Sequence, residues 1–291
     1  MAQATVLYGI GAAKAGTSWL HGYLSSHPEC HFRSIKEVHY FDTLDQPDWR
    51  GKLLFNKMIG LTKLQEAADG DSLAKIEREI SDFTDWQRVL ETPSVDHSGY
   101  LDYLQNGSEG YRIIGDITPS YANLNADIFS EMAGIGPQVK FIYLLRDPLD
   151  RLWSNIRMAA QRFSGGGKKL AATARALMED FLTGNNRQME RRTEYASTLQ
   201  NLYKAVGHKQ VLIEFYETLF TSDATRRITD FLGLSPMTAP TDKIVHRGQR
   251  IDLDEDQRRR ALVRLRPQYE YVMQHVNGPI PARWHTQLSE V

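Results

Sequence analysis

Apolar residues gather along this chain in short continuous runs, separated by longer stretches of helical period. The first run, Val6-Leu7-Tyr8-Gly9-Ile10, predicts a buried strand over 5–10. A glycine-bounded loop over 11–16 and a helix over 17–26, capped by Thr17 or a near neighbour, follow it. Three later runs read as further buried strands, at 111–115, 140–145 and 210–215. Helical period dominates 148–161, 193–206 and 254–275. Strands alternating with helices predict an α/β fold: a P-loop-like, three-layer domain whose central, mostly parallel sheet is flanked by helices.

Two stretches break this alternation. Residues 45–110 are less regular, with helical patches at 71–80 and 82–90, and are expected to be an insertion that walls an acceptor site. Ser164-Gly165-Gly166-Gly167-Lys168-Lys169 is a flexible basic loop, read as a surface connector with a lid hinge as the alternative. The 291 residues suit one domain spanning 1–291.

Composition removes several function classes. The 35 Lys and Arg nearly balance 36 Asp and Glu, so no global field draws the chain to nucleic acid or an anionic membrane. Cys30 is the single cysteine, which excludes an intramolecular disulfide and a thiolate cluster. The nine histidines show no metal-ligand spacing, and no metal site is expected. The apolar run near the start is too short for a signal peptide or a membrane span, so a cytoplasmic chain without stable membrane insertion is expected. The arginine run at 258–266 follows Asp252, Asp254, Glu255 and Asp256, which is the charge order of a solvated helix complementing its own dipole.

The chemistry concentrates in Gly11-Ala12-Ala13-Lys14-Ala15-Gly16-Thr17-Ser18-Trp19. Glycines allow backbone N–H groups to approach a ligand, and the helix that follows offers further N–H groups and a positive dipole end. Lys14 adds a full charge, while Thr17 and Ser18 add hydroxyl donors. The loop has the Gly-x4-Gly of a Walker A motif, yet Thr17 stands where that motif has lysine. An ordinary strand–turn–helix junction is the plain alternative.

With its lysine displaced into the loop, Lys14-Ala15-Gly16-Thr17-Ser18-Trp19 resembles the 5′-phosphosulfate loop of sulfotransferases that use 3′-phosphoadenosine 5′-phosphosulfate (PAPS). The resemblance implies PAPS as co-substrate, PAP as product, no metal, and the six loop residues as donor contacts. It also implies a 3′-phosphate grip from Arg146, at the end of the run 141–145, and from Ser154 on the next helix. Arg247 and Gly248, in Val245-His246-Arg247-Gly248-Gln249-Arg250, are similar to the family's C-terminal nucleotide loop. Tyr195 matches a tyrosine placed near the nucleotide, and Trp19 a tryptophan that stacks on adenine; both fit a core position equally. Lys36-Glu37-Val38-His39-Tyr40-Phe41-Asp42 resembles the segment of carbohydrate sulfotransferases in which Glu37 maps onto the catalytic base and His39 onto a nearby histidine. Asp116-Ile117-Thr118-Pro119-Ser120-Tyr121 is similar to a stretch close to the active site. The acceptor implied is a small-molecule, lipid or carbohydrate hydroxyl, less readily an amine. A P-loop small-molecule kinase using ATP and Mg²⁺, or an inactive nucleotide-binding protein, stands as the alternative reading.

Overall fold

A computed structural model describes residues 3–44, 46–238 and 251–290. Five strands, β1 (Thr5–Gly11), β2 (Cys30–His31), β3 (Ile113–Ile117), β4 (Val139–Leu145) and β5 (Val211–Phe215), form one sheet in the order β2-β3-β1-β4-β5. Every described pairing is parallel, with Leu7 opposite both Gly115 and Lys140. β1 is central and buried along its whole length, which explains its unbroken apolar run. The edge strands are weaker: β5 is half exposed over its first three residues and β2 has only two.

Twelve α-helices accompany the sheet among the described residues: α1 (Thr17–Ser25), α2 (Pro47–Glu66), α3 (Gly70–Glu91), α4 (Ser98–Gln105), α5 (Ala126–Gly134), α6 (Pro148–Ser164), α7 (Leu170–Leu182), α8 (Arg187–Thr193), α9 (Tyr195–Ala205), α10 (Ser222–Leu232), α11 (Glu255–His275) and α12 (Ala282–Leu288). α11 begins where acidic residues predict, with Asp254 Oδ1 accepting from the Asp256 and Gln257 N–H groups. The region 45–110 is more regular than its pattern suggests. The two expected helical patches are one helix, α3, and it is preceded by a 20-residue helix, α2. α2 carries apolar residues around its full circumference, with Leu54 and Leu61 buried but Phe55, Met58 and Leu64 exposed, so no stripe marks it as a helix. The basic loop is a tight connection: Gly165, at φ 66°, ends α6, and a 3₁₀ turn at Gly167–Lys169 leads into α7.

Chain order makes β1 the switch point. β3 joins it on one side and β4 on the other, so the loops at the carboxyl ends of β1, β3 and β4 converge there. No described helix is long and apolar enough to cross a membrane.

Candidate active site

The loop after β1 is shaped by its glycines. Gly11 has φ 146°, and a side chain there would come within 3.0 Å of the Pro119 carbonyl. Gly16 has φ 98°, and an added Cβ would lie 2.7 Å from Leu219 Cδ2. Gly16, rather than Thr17, is the N-cap of α1, and it supplies no side-chain acceptor. The first turn of α1 therefore keeps its N–H groups and positive dipole end for an external anion.

Those groups face a cavity of about 610 Å³. Lys14, Gly16, Thr17, Ser18 and Trp19 line it from the loop and α1, while Ala15 is fully buried away from it and donates its N–H to the Ala12 carbonyl at 3.0 Å. Arg146 and Ser154 line it from the end of β4 and from α6. Arg146 is fixed twice: Nη1 donates to the Lys14 carbonyl at 3.1 Å, and the guanidinium stacks 4.4 Å above the Tyr216 ring. Tyr195 is placed behind this arginine rather than in the cavity. It is fully buried, and its hydroxyl donates to the Arg146 carbonyl at 2.8 Å, which holds that stretch of backbone in place. Trp19 is almost buried, stacked on Tyr23 at 5.4 Å, with an edge that reaches the cavity. Arg247 and Gly248 lie outside the described residues.

Glu37 and His39 line the same cavity. Both hold left-handed backbone, at φ 60° and 56°, an arrangement kept by tethers from below. Buried Asp116 on β3 is the anchor. It accepts from Thr118 Oγ1 at 2.6 Å, Tyr121 Oη at 2.7 Å, Tyr100 Oη at 2.9 Å and, at 3.4 Å, the Val38 N–H. Thr118 Oγ1 accepts the His39 N–H at 3.4 Å, and Trp86 on α3 donates to the Val38 carbonyl at 2.7 Å. Thus Asp116 and Thr118 support the site from beneath, while Pro119 and Ser120 of the same run line the cavity.

Charges around Glu37 are tightly arranged. Its Oε1 lies 2.5 Å from Lys36 Nζ and its Oε2 3.8 Å from His39 Nε2. Burial by itself raises the Glu37 pKa, but His39 and Lys36 outweigh it and bring the carboxyl to about 2. His39 Nδ1 lies 2.8 Å from Asp42 Oδ2, and Ser120 Oγ donates to the same carboxylate oxygen at 2.5 Å. Burial opposes the charged imidazole, yet Asp42 and Glu37 raise its pKa to about 9. Lys14 moves the other way: burial, then the positive charges of Arg146, Arg157, Arg162 and Lys36, lower its pKa.

Several lining residues carry no motif. Ser120, which lines the cavity, and Asp42 behind it stand within the runs already singled out, but the meeting of Ser120 with His39 and Asp42 is tertiary. Trp49 reaches the cavity from α2, Met158 and Arg162 from α6, and Arg191 and Arg192 from α8. Arg162 follows Ser154 by eight residues on the same face of α6, a spacing legible in principle.

A model described as the sulfotransferase family matches residues 7–238. The chain belongs to the sulfotransferase family. Sulfuryl transfer is therefore the general reaction, and the kinase alternative falls away. The fold is similar to the crystal structure of a sulfotransferase from Alicyclobacillus acidocaldarius, with a TM-score of 0.66 at 20% identity, covering 98% of this chain and 100% of that one. It is also similar to a sulfotransferase domain from the curacin biosynthetic pathway, with a TM-score of 0.51 at 16% identity, covering 100% and 98%. At these identities the likeness speaks for the α/β fold. No curated protein matches the chain.

Proposed function

We propose that this sulfotransferase moves a sulfuryl group from PAPS to an acceptor hydroxyl and releases PAP. The observation that carries the reading is the pair of anion cradles opening on one cavity. One is the uncapped α1 terminus with Lys14; the other is Arg146 with Ser154. Two phosphate-like ends of one nucleotide match them, and a cavity of about 610 Å³ suits a ligand of that size together with part of an acceptor.

In this reading the α1 N–H groups, Thr17, Ser18 and Lys14 hold the 5′-phosphosulfate, while Arg146 and Ser154 hold the 3′-phosphate. Lys14 meets the charge that grows on the departing phosphate oxygen. Glu37 receives the acceptor's proton as the acceptor oxygen forms its bond to sulfur and the bond from sulfur to the phosphate oxygen breaks. His39, whose imidazole Asp42 and Glu37 hold towards its charged form, orients Glu37, with Asp42 and Ser120 holding the imidazole in turn. Residues 45–110, which place Trp49 at the cavity and Trp86 under Val38, serve as the acceptor-side wall of a single 1–291 domain.

Calorimetry with PAP, ATP and ADP, with and without Mg²⁺, tests the donor. PAP is expected to bind without metal, more tightly than ATP, and about tenfold or more weakly in Arg146→Ala, since a hydrogen bond to a charged group contributes about 1.5–3 kcal/mol. Equal binding of PAP by wild type and variant, or a preference for ATP with Mg²⁺, overturns the reading.

A further inference from the structure

The cavity holds more positive charge than the donor contacts use. Elsewhere in the chain arginines sit against carboxylates, as Arg227 on Glu214, Arg260 on Glu179 and Arg283 on Asp150. Lining the cavity are Lys14, Arg146, Arg162, Arg191 and Arg192, none of them in an ion pair among the described residues. Among the described residues the only carboxylate lining it is Glu37, already bridged by Lys36 and His39.

The surplus is grouped. Ser154, Met158 and Arg162 occupy successive turns of one α6 face, so Arg162 lies roughly 12 Å along the axis beyond Ser154. Lys14 Nζ contacts Met158 Sδ at 3.8 Å, midway between them. Ser154 and Arg162 thus line the cavity at points two turns of α6 apart. Arg192 approaches from α8, where its Nη1 donates to Asn155 Oδ1 at 3.3 Å. That bond, and partial burial, hold the guanidinium ready and reduce the ordering needed on binding. Its charged neighbours are Arg151, Arg162 and Glu37. Behind it, fully buried Arg151 has no hydrogen-bond partner on any of its three nitrogens among the described residues, which leaves its charge uncompensated. A planar guanidinium pair beside the proposed base selects an oxyanion.

We infer that the acceptor is itself an anion, gripped through a carboxylate, sulfate or phosphate group by Arg192 and Arg162, with Arg191 at the rim. This rests on the PAPS reading, because it assigns the cations that the donor leaves over. The grip would set the acceptor hydroxyl between Glu37 and the transferring sulfur.

The test titrates the full chain, saturated with PAP, with inorganic phosphate and separately with acetate, in wild type, Arg192→Gln and Arg162→Gln. Wild type is expected to bind at least one of the two; the stronger arm separates a phosphate- or sulfate-bearing acceptor from a carboxylate. Either variant should weaken that binding tenfold or more, with PAP affinity within twofold of wild type. Exposed Arg162 tolerates glutamine without structural loss, so its variant remains informative if Arg192→Gln folds poorly. Anion binding unchanged in both variants would place the anion on the Lys14 loop and overturn the inference, as would no anion binding to the PAP-loaded chain. A tenfold loss of PAP affinity in both variants would assign these arginines to the donor and overturn it too. In all three outcomes PAP still binds, so the donor reading stands; a chain that binds no PAP fails at that earlier step.

Discussion

Replacing Asp42 with asparagine isolates the charge pair that holds His39. The imidazole is held at about 9, against an ordinary value near 6.5. That difference corresponds to about 3 kcal/mol favouring the charged form in the fold. Only 13% of the His39 side chain is exposed, so solvent screens little of it. Asp42 lies at 2.8 Å and Glu37 at 3.8 Å, which assigns the larger part, about 2 kcal/mol, to Asp42. The sign follows from the raised pKa: the stabilisation is complete below pH 6.5 and disappears as pH rises through 9. Wild-type melting temperature should therefore fall between pH 7 and 10. Asp42→Asn should melt several degrees lower at pH 6 and show a flatter profile above it. Imidazole NMR titration reads His39 directly, with the midpoint expected to drop by more than about one unit in the variant. A wild-type midpoint near 6.5, or an identical midpoint in Asp42→Asn, would refute the reasoning.

Two further perturbations probe the donor loop and its support. Lys14→Ala should lower the rate of PAP release from PAPS by about 10²–10³-fold, the loss typical of removing one preorganised charge-stabilising donor; a rate within threefold of wild type in single-turnover assays contradicts the role. Asp116→Asn replaces an acceptor shared by Thr118, Tyr100 and Tyr121, leaving at least one buried hydroxyl without its partner. Each such loss costs about 1–3 kcal/mol, so thermal melts should fall by several degrees, and a change under 1 °C would remove Asp116 as the anchor.

What could be read from the chain beforehand follows from range of interaction. β1, its loop and α1 were legible because a strand buried on both faces is continuously apolar, and because Gly11 and Gly16 bound the turn. Arg146 and Ser154 were legible as a local strand–helix junction. α2 was not, since Leu53, Leu54, Phe55, Met58, Ile59, Leu61 and Leu64 spread around the helix rather than along one face. β2 was missed because two residues carry no period. The cluster of Arg162 and Arg192 was hidden for another reason: α6 and α8 are brought together by packing, as in the Asn155 contacts to Met189 and Arg192. For Tyr195 the sequence left a nucleotide contact and a core position equally open, and only the fold shows it buried with its hydroxyl on the Arg146 carbonyl.

The electrostatics of the cleft also show how a nearly neutral chain would recognise the polyanion proposed above. With 35 basic and 36 acidic residues, long-range attraction is negligible, so discrimination depends on where charges go uncompensated. Burial and like charges both act against Lys14 and Arg192, lowering the pKa of each. Such a cluster opposes the fold when empty of counter-charge, and an anion relieves that opposition as it binds. Because the relief is present only in the folded chain, ligand affinity and stability rise together. The same arrangement disfavours neutral nucleosides and sugars, which would desolvate these cations without compensating them. In the proposed reading, selectivity for anions follows from gathering on one cavity five cations that form no ion pair among the described residues, whereas Arg227, Arg260 and Arg283 each sit against a carboxylate.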